Sequence, residues 1–276
     1  MRLGETHFKN TDFIYHAIRS GAVECSGIEL VKAHPPELAR LLLSGKIDAA
    51  PTSSIMYALH PEELAIMEGL SISAPAGTGS ILVFSRCASC LKELRGKRIA
   101  TTSTSASSVA LLRILLRERG IDAKLVVNHP PRLGEMLRIA DAALLIGDHA
   151  LVAGYLHPEL VVADLGEEWR SLTGLPMVYA LWLVTDEFAR RTEMVEELKS
   201  VLVQARRYAY EHLHELARVF AEQLGIPARV MREHLRCLDY NLSSRNLRGL
   251  RRFFELASRH GIIPSVPELR FTGGEG

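Results

Sequence analysis

Seven of the eight residues from Thr101 to Ser108 are serine or threonine. Short hydroxyl side chains at that density are suited to holding an anion. The segment Gly96 to Leu116, GKRIATTSTSASSVALLRILL, reads as a strand (Arg98 to Ala100), a hydroxyl turn and a helix with Val109, Leu112 and Leu116 at helical spacing. Such a turn sets unpaired backbone N–H groups at a helix N-terminus, where the positive end of the helix dipole also lies. Ser105, Ser107 and Ser108 are its candidate donors. There is no Gly-Lys-Ser/Thr ending and no G-x-G-x-x-G, so a carboxylate fits better than a nucleotide phosphate. Lys46 to Tyr57, KIDAAPTSSIMY, repeats the pattern with Thr52, Ser53 and Ser54. Hydroxyls that merely cap a helix would account for one or two of these residues, but not for seven.

Three more loops carry candidate groups. Ala142 to Ala150, AALLIGDHA, is a buried strand ending in Gly147, which permits close backbone approach, and Asp148, which can cap the next helix. Thr173 begins a Thr-Gly-Leu-Pro turn that follows a loop around Trp169. Asn10 and Thr11 precede a helix expected from Asp12, which Asn10 could cap. Cys87 and Cys90 are spaced C-x-x-C without a second such pair, and the histidines form no H-E-x-x-H. Reduced thiols and no catalytic metal are therefore expected.

These loops need a scaffold, and the pattern supplies an α/β one. Strands are predicted at Arg2 to Thr6, Val23 to Val31, Ile47 to Ala50, Gly79 to Ser85, Arg98 to Ala100, Lys124 to Asn128, Ala142 to Ile146, Val161 to Asp164 and Met177 to Val184. Helices are predicted at Asp12 to Ser20, Pro36 to Leu43, Ser107 to Arg119 and Arg132 to Ile139. The order implies mostly parallel sheets. After Thr185 the pattern is entirely helical, with core stripes at Val195, Leu198, Leu202 and Ala205 and at Leu247, Leu250, Phe254 and Ala257, and a helix begun by Pro227. The tail from Thr272 to Gly276 is expected to be disordered.

The two long apolar strands at 79–85 and 177–184 bracket the middle third. One hydroxyl turn lies inside the bracket and one outside. The simplest architecture is two lobes, 1–83 with 181–276 and 84–180, with a ligand cleft between them. A ligand with two separated anionic groups would touch both.

Composition sets the outer bounds. The chain has 276 residues, 47% of them apolar, enough for a full core. Thirty-three basic against thirty-two acidic residues leave a formal charge of +1 with no long block of either sign, which points away from nucleic acid and anionic membranes. The N-terminus lacks the apolar core of a signal peptide, and no apolar run approaches a membrane span. A cytoplasmic location is expected.

FKNT at 8–11, GKIDAAPTSS at 45–54, LRGKRIATTSTSASSVALLRILL at 94–116, AALLIGDHAL at 142–151 and DLGEEWRSLTGLPMVYALW at 164–182, in this order, closely resemble the chorismate dehydratase family of the futalosine route to menaquinone. The resemblance runs to about residue 260. It implies a two-lobed fold like that of type II periplasmic binding proteins, with a helical C-terminal segment, used as a cofactor-free lyase on chorismate. It also implies a catalytic role for Asn10, substrate contacts from Thr11, Ser53, Ser54, Ser105, Ser107, Ser108, Gly147, Asp148 and Thr173, and a substrate-assisted route in which chorismate's side-chain carboxylate takes the proton. The chain departs from the family at Phe8-Lys9-Asn10-Thr11, where Tyr-Leu-Asn-Thr is common, and at Ala106-Ser107-Ser108, where Arg-Thr-Ser is common. Lys9 and His7 are then the candidates to neutralise substrate carboxylates. The competing readings are a related lyase acting on cyclic dehypoxanthine futalosine, for which His149 is the nearest base, and a cytoplasmic carboxylate receptor.

Overall fold

The computed structural model describes residues 1–102, 105–126 and 130–273. The expected contributions of Ser103 and Thr104 to the hydroxyl turn, the strand end at Val127 and Asn128, and the last three residues of the tail lie outside the described residues. The described chain runs β1 (Arg2–Glu5), α1 (Lys9–Arg19), β2 (Glu29–Lys32), α2 (Pro35–Leu43), β3 (Ala49–Ser53), α3 (Ser54–Leu59), β4 (Leu64–Ala74), β5 (Ile81–Ser85), β6 (Arg98–Ala100), α4 (Ala106–Glu118), β7 (Lys124–Val126), α5 (Leu133–Ile139), β8 (Ala142–Ile146) and α6 (Gly147–Leu156). It continues through β9 (Val161–Asp164), α7 (Leu165–Thr173), β10 (Met177–Thr185), α8 (Asp186–Ala189), α9 (Thr192–Glu211), α10 (Leu213–Leu224), α11 (Ala228–Cys237) and α12 (Ser244–Arg259).

The strands form two five-stranded sheets with matching plans, β2-β1-β3-β10-β4 and β7-β6-β8-β5-β9. In each, the first three strands pair parallel and the fourth, β10 or β5, runs antiparallel to both its neighbours, so four of the five strands share one direction. The sheets are thus mixed, each with one strand running against the rest. The reason is an exchange: β5 leaves the first sheet's part of the chain to pair with β8, and β10 returns from the second to pair with β3. The passages between sheets lie at 75–80 and 174–176, before the expected crossings near 84 and 180, because β5 and β10 each lie wholly in the sheet they enter.

Strand alternation divides the core. Ala49, Trp182 and Val184 face one side of the first sheet, with α1, α9 and α10, while Ala50, Leu181 and Leu183 face the other, with α2, α3 and α12. The predicted C-terminal stripes are buried on α9 and α12, apart from Leu247, which is partly buried.

Several elements differ from expectation. β4, the longest strand, was not predicted, because Glu68-Gly69 interrupts its alternation. Gly69 sits at φ +69°, and the register with β10 shifts between Leu181 and Leu183. The segment around Trp169 is helix α7 rather than a loop. Asp164 caps it, accepting from Gly166 N at 2.8 Å, and the buried Trp169 donates to Pro176 O at 3.1 Å. Residues 23–28 are not strand. The tail is tied through Gly273's neighbour, since Thr272 N donates to Ile66 O at 3.0 Å and Ile66 N donates to Arg270 O at 2.8 Å.

Candidate active site

Chains that leave parallel strands at their carboxyl ends turn into helices there, so helix N-termini collect at one edge of each sheet. Here α1 follows β1, α3 follows β3, α4 follows β6 and α6 follows β8, and residues from all four junctions line one cavity. From the first sheet's half come Thr6, Asn10, Thr11, Thr52, Ser53 and Tyr179. Thr78, Ser80, Ser105, Ser108 and Gly147 come from the passage and the second half.

Asn10 is not a cap. Helix α1 begins three residues earlier than predicted, its N-cap is Phe8, and Asn10 lies within its first turn. The Asn10 carbonyl accepts from the buried Tyr240 hydroxyl at 2.6 Å. A short relay orders the side chain: Thr6 Oγ1 donates to Thr11 Oγ1 at 2.7 Å, which donates to Asn10 Oδ1 at 3.3 Å. With its oxygen engaged, Asn10 presents the Nδ2 hydrogens as donors. Opposite, Ser105 caps α4, accepting from Ser108 N at 3.4 Å, and the two hydroxyls lie 3.0 Å apart.

The passage between the sheets is held from below. Asp164 Oδ2 accepts from Thr78 N at 2.9 Å and Gly79 N at 2.7 Å, while His234 Nδ1 meets Thr78 O at 2.9 Å. Burial raises the Asp164 carboxyl above its ordinary value, and these backbone N–H bonds oppose that rise. The arrangement presents Thr78 and Ser80, their hydroxyls 3.0 Å apart, to the cavity.

Among the described residues that line the cavity there is no Lys, Arg, His, Asp or Glu. Favourable potential for an anion comes instead from hydroxyls, amides and the N-termini of α1, α4 and α6. Two wall residues, Thr52 and Tyr179, keep buried hydroxyls with no hydrogen-bond partner among the described residues, an arrangement that costs stability unless something binds there. Burial, reinforced by Asp164 and Glu167, holds the Tyr179 phenol well above its usual range, so it stays protonated. No group of three or more His, Cys, Asp or Glu among the described residues is placed to hold a metal.

Of the predicted residues, Asn10, Thr11, Ser53, Ser105, Ser108 and Gly147 meet at the cavity, and four do not line it. Ser54 and Ser107 are buried between α3 and α4, their hydroxyls 3.0 Å apart, with Ser54 donating to Val178 O at 2.7 Å and Ser107 accepting from Ile55 N at 3.1 Å. Thr173 closes α7, donating to Trp169 O at 2.9 Å. Asp148 accepts from the Lys9 backbone N–H. Neither candidate cation reaches the wall: Lys9 Nζ is 3.0 Å from Asp12 and over the Phe220 ring, and His7 lies against His34 with the rings tilted, centroids 4.7 Å apart. His7, His34 and His149 line a second, outer groove, and Phe8 lies on the wall of both. Sequence reading missed Thr6, Thr78, Ser80 and Tyr179 as wall residues. Ser80 lies in the passage just before β5 and Tyr179 within the apolar β10, and only the exchange of strands brings them together.

A family model described as menaquinone biosynthesis matches residues 1–259. A chorismate dehydratase of Thermus thermophilus is 32% identical over 270 residues, covering 92% of this chain and 93% of that protein. Among solved structures, protein AF1704 of Archaeoglobus fulgidus superposes with a TM-score of 0.77 at 21% identity, covering 95% of this chain and 98% of that one. The CA3427 gene product of Candida albicans, described as exhibiting the generic periplasmic binding protein fold, superposes at 0.70 with 13% identity, covering 97% and 92%. The fold is therefore of the periplasmic-binding-protein kind, α/β with a helical C-terminal segment.

Proposed function

The chain belongs to the menaquinone-biosynthesis family, and on that premise we propose that it dehydrates chorismate to 3-[(1-carboxyvinyl)oxy]benzoate and water, as a carbon–oxygen lyase. The observation that carries this reading is the cavity wall, which offers hydroxyl and N–H donors from both halves of the molecule and no Lys, Arg, His, Asp or Glu among its described residues. Chorismate has two carboxylates, and one set of donors faces each: Ser105, Ser108 and the N-terminus of α4 for one, Ser53 and Thr52 for the other. Charge-assisted bonds of this kind contribute about 1.5 to 3 kcal/mol each.

The reaction removes the C3 hydrogen as a proton and the C4 hydroxyl as its leaving group. The C–H electron pair completes an aromatic ring, so the drive lies in the substrate and the protein mainly orients it. Among its described residues the wall holds no carboxylate or imidazole, and in this reading the proton goes to the substrate's own side-chain carboxylate. Asn10 Nδ2 donates to the departing hydroxyl, where negative charge develops. The base that the competing lyase reading would use, His149, is exposed in the outer groove.

The test is incubation of the purified protein with chorismate in the presence of a chelator, followed by chromatography for the enolpyruvyl benzoate. Product formation supports the reading. Chorismate recovered unchanged from a tight complex would make the protein a receptor, and activity restored only by a divalent ion would overturn the cofactor-free account.

A further inference from the structure

Two helix pairs meet across the cavity, related by the matching plans of the two sheets: α3 with α4, and α1 with α6. The first pair meets through the neutral hydroxyls of Ser54 and Ser107. The second meets through a carboxylate. Both oxygens of Asp148 accept from the Lys9 backbone N–H, at 3.1 and 3.3 Å. Phe8, the N-cap of α1, makes no side-chain cap bond, so this early N–H of the helix is satisfied from the opposite half of the molecule. Beside it the Phe8 ring lies against Gly147. Gly147 sits at φ +57°, and a Cβ there would fall 2.6 Å from a ring carbon. Phe8 and Lys9 are thereby set by Gly147 and Asp148, and the next residue along α1 is Asn10.

We propose that Asp148 is a positioning residue that acts through Asn10, its carboxylate holding the first turn of α1 against α6 and so fixing the aim of the Asn10 amide into the cavity. The kinetic part of this inference rests on the dehydratase reading. Asp148 does not line the inner cavity, so it has no direct contact with a ligand there to explain it. Nor is it one half of an ion pair among the described residues, since the Lys9 ammonium is bound to Asp12. Its surroundings disfavour its charge: burial pushes the carboxyl up to about 6, and the Lys9 backbone bond and charge only partly oppose that rise. The other ionisable groups on the same groove are His7, His34, Glu37, Arg132, His149 and His157. Burial lowers the imidazoles of His7 and His149 below their ordinary value, and substitution of Asp148 itself separates its transition from any of theirs.

The experiment follows the Lys9 backbone amide by NMR from pH 5 to 8, alongside chorismate turnover, in the parent, Asp148→Asn and Asp148→Glu. In the parent the amide should shift through one transition near 6, with kcat falling on the acid side. Asp148→Asn should abolish that amide transition and lower kcat about tenfold at pH 8 with KM changed less than about twofold, the signature of a lost transition-state contact. Asp148→Glu should recover part of kcat. A Lys9 amide indifferent to pH, or an Asp148→Asn protein with parental kcat, overturns the proposal. A parent inert toward chorismate overturns the dehydratase reading instead, and the amide titration alone then decides whether the tie exists.

Discussion

Asn10, Tyr179 and Asp148 each offer a substitution whose effects on stability and on turnover part company. An aspartate in the first turn of a helix suits the helix dipole, so Asn10→Asp should melt within a few degrees of the parent. It loses the Nδ2 donor and adds a negative charge beside a dianion, so turnover should fall about a hundredfold, the order seen when a transition-state donor is removed. Near-parental turnover in a folded variant would leave the catalytic assignment without a residue. Tyr179→Phe deletes a hydroxyl that bonds nothing among the described residues, and stability should hold or rise slightly. Chorismate binding, measured by calorimetry, should weaken about tenfold if that hydroxyl meets substrate, and unchanged binding would reduce Tyr179 to wall. For Asp148 the sign is set by linkage. Because its carboxyl is raised from 3.8 to about 6 in the folded protein, the native state holds that proton more tightly than the unfolded chain does. Its contribution to stability therefore falls as pH rises between about 4 and 6, then stays flat, a loss on the order of 2 to 3 kcal/mol. Asp148→Asn should be more stable than the parent above pH 6 while turning over more slowly, as denaturant melts at pH 5 and 8 would read out.

At the scale of elements, the junction of β6 and α4 separates two kinds of serine that look alike in sequence. Ser105→Ala and Ser108→Ala should each weaken substrate binding about tenfold, having removed a donor from the wall. Ser54→Ala and Ser107→Ala should instead cost about 1 kcal/mol of stability each, with any loss of binding following from a loosened contact between α3 and α4. Equal binding defects in all four would mean that the buried pair also reaches ligand. This junction was legible because composition marks it: a hydroxyl run between an apolar strand and an amphipathic helix has few other uses. Which hydroxyl faces inward was not legible, since it depends on rotation of α4 against a helix fifty residues away. β4 escaped detection for a local reason, the Glu68-Gly69 bulge that breaks its alternation. The helix around Trp169 was read as a loop because its nine residues pair a charged face with few apolar positions. The start of α1 was misplaced because Phe8 lacks the polar side chain by which N-caps are recognised.

For the molecule as a whole, the cross-cavity contacts on both sides make this a closed arrangement, and a ligand that bridges the halves should favour it. Solution scattering should give a smaller radius of gyration with the benzoate product than without it. An unchanged radius would mean that entry needs only a local movement, with Phe8 the residue standing between the outer groove and the inner cavity. The chain's last described residues carry a different consequence. β4 is an edge strand of eleven residues, and part of that edge is covered by Arg270 and Thr272, which bond Ile66, while Tyr57 bonds Glu268 and Arg270. Uncovered edges recruit other strands. The other end of the same edge is taken by Asp239, Tyr240 and Asn241, which bond Ser71 and Ser73, so the Ile66 end is the part left to the tail. A chain cut after Pro264 should keep its cavity yet form larger species as concentration rises.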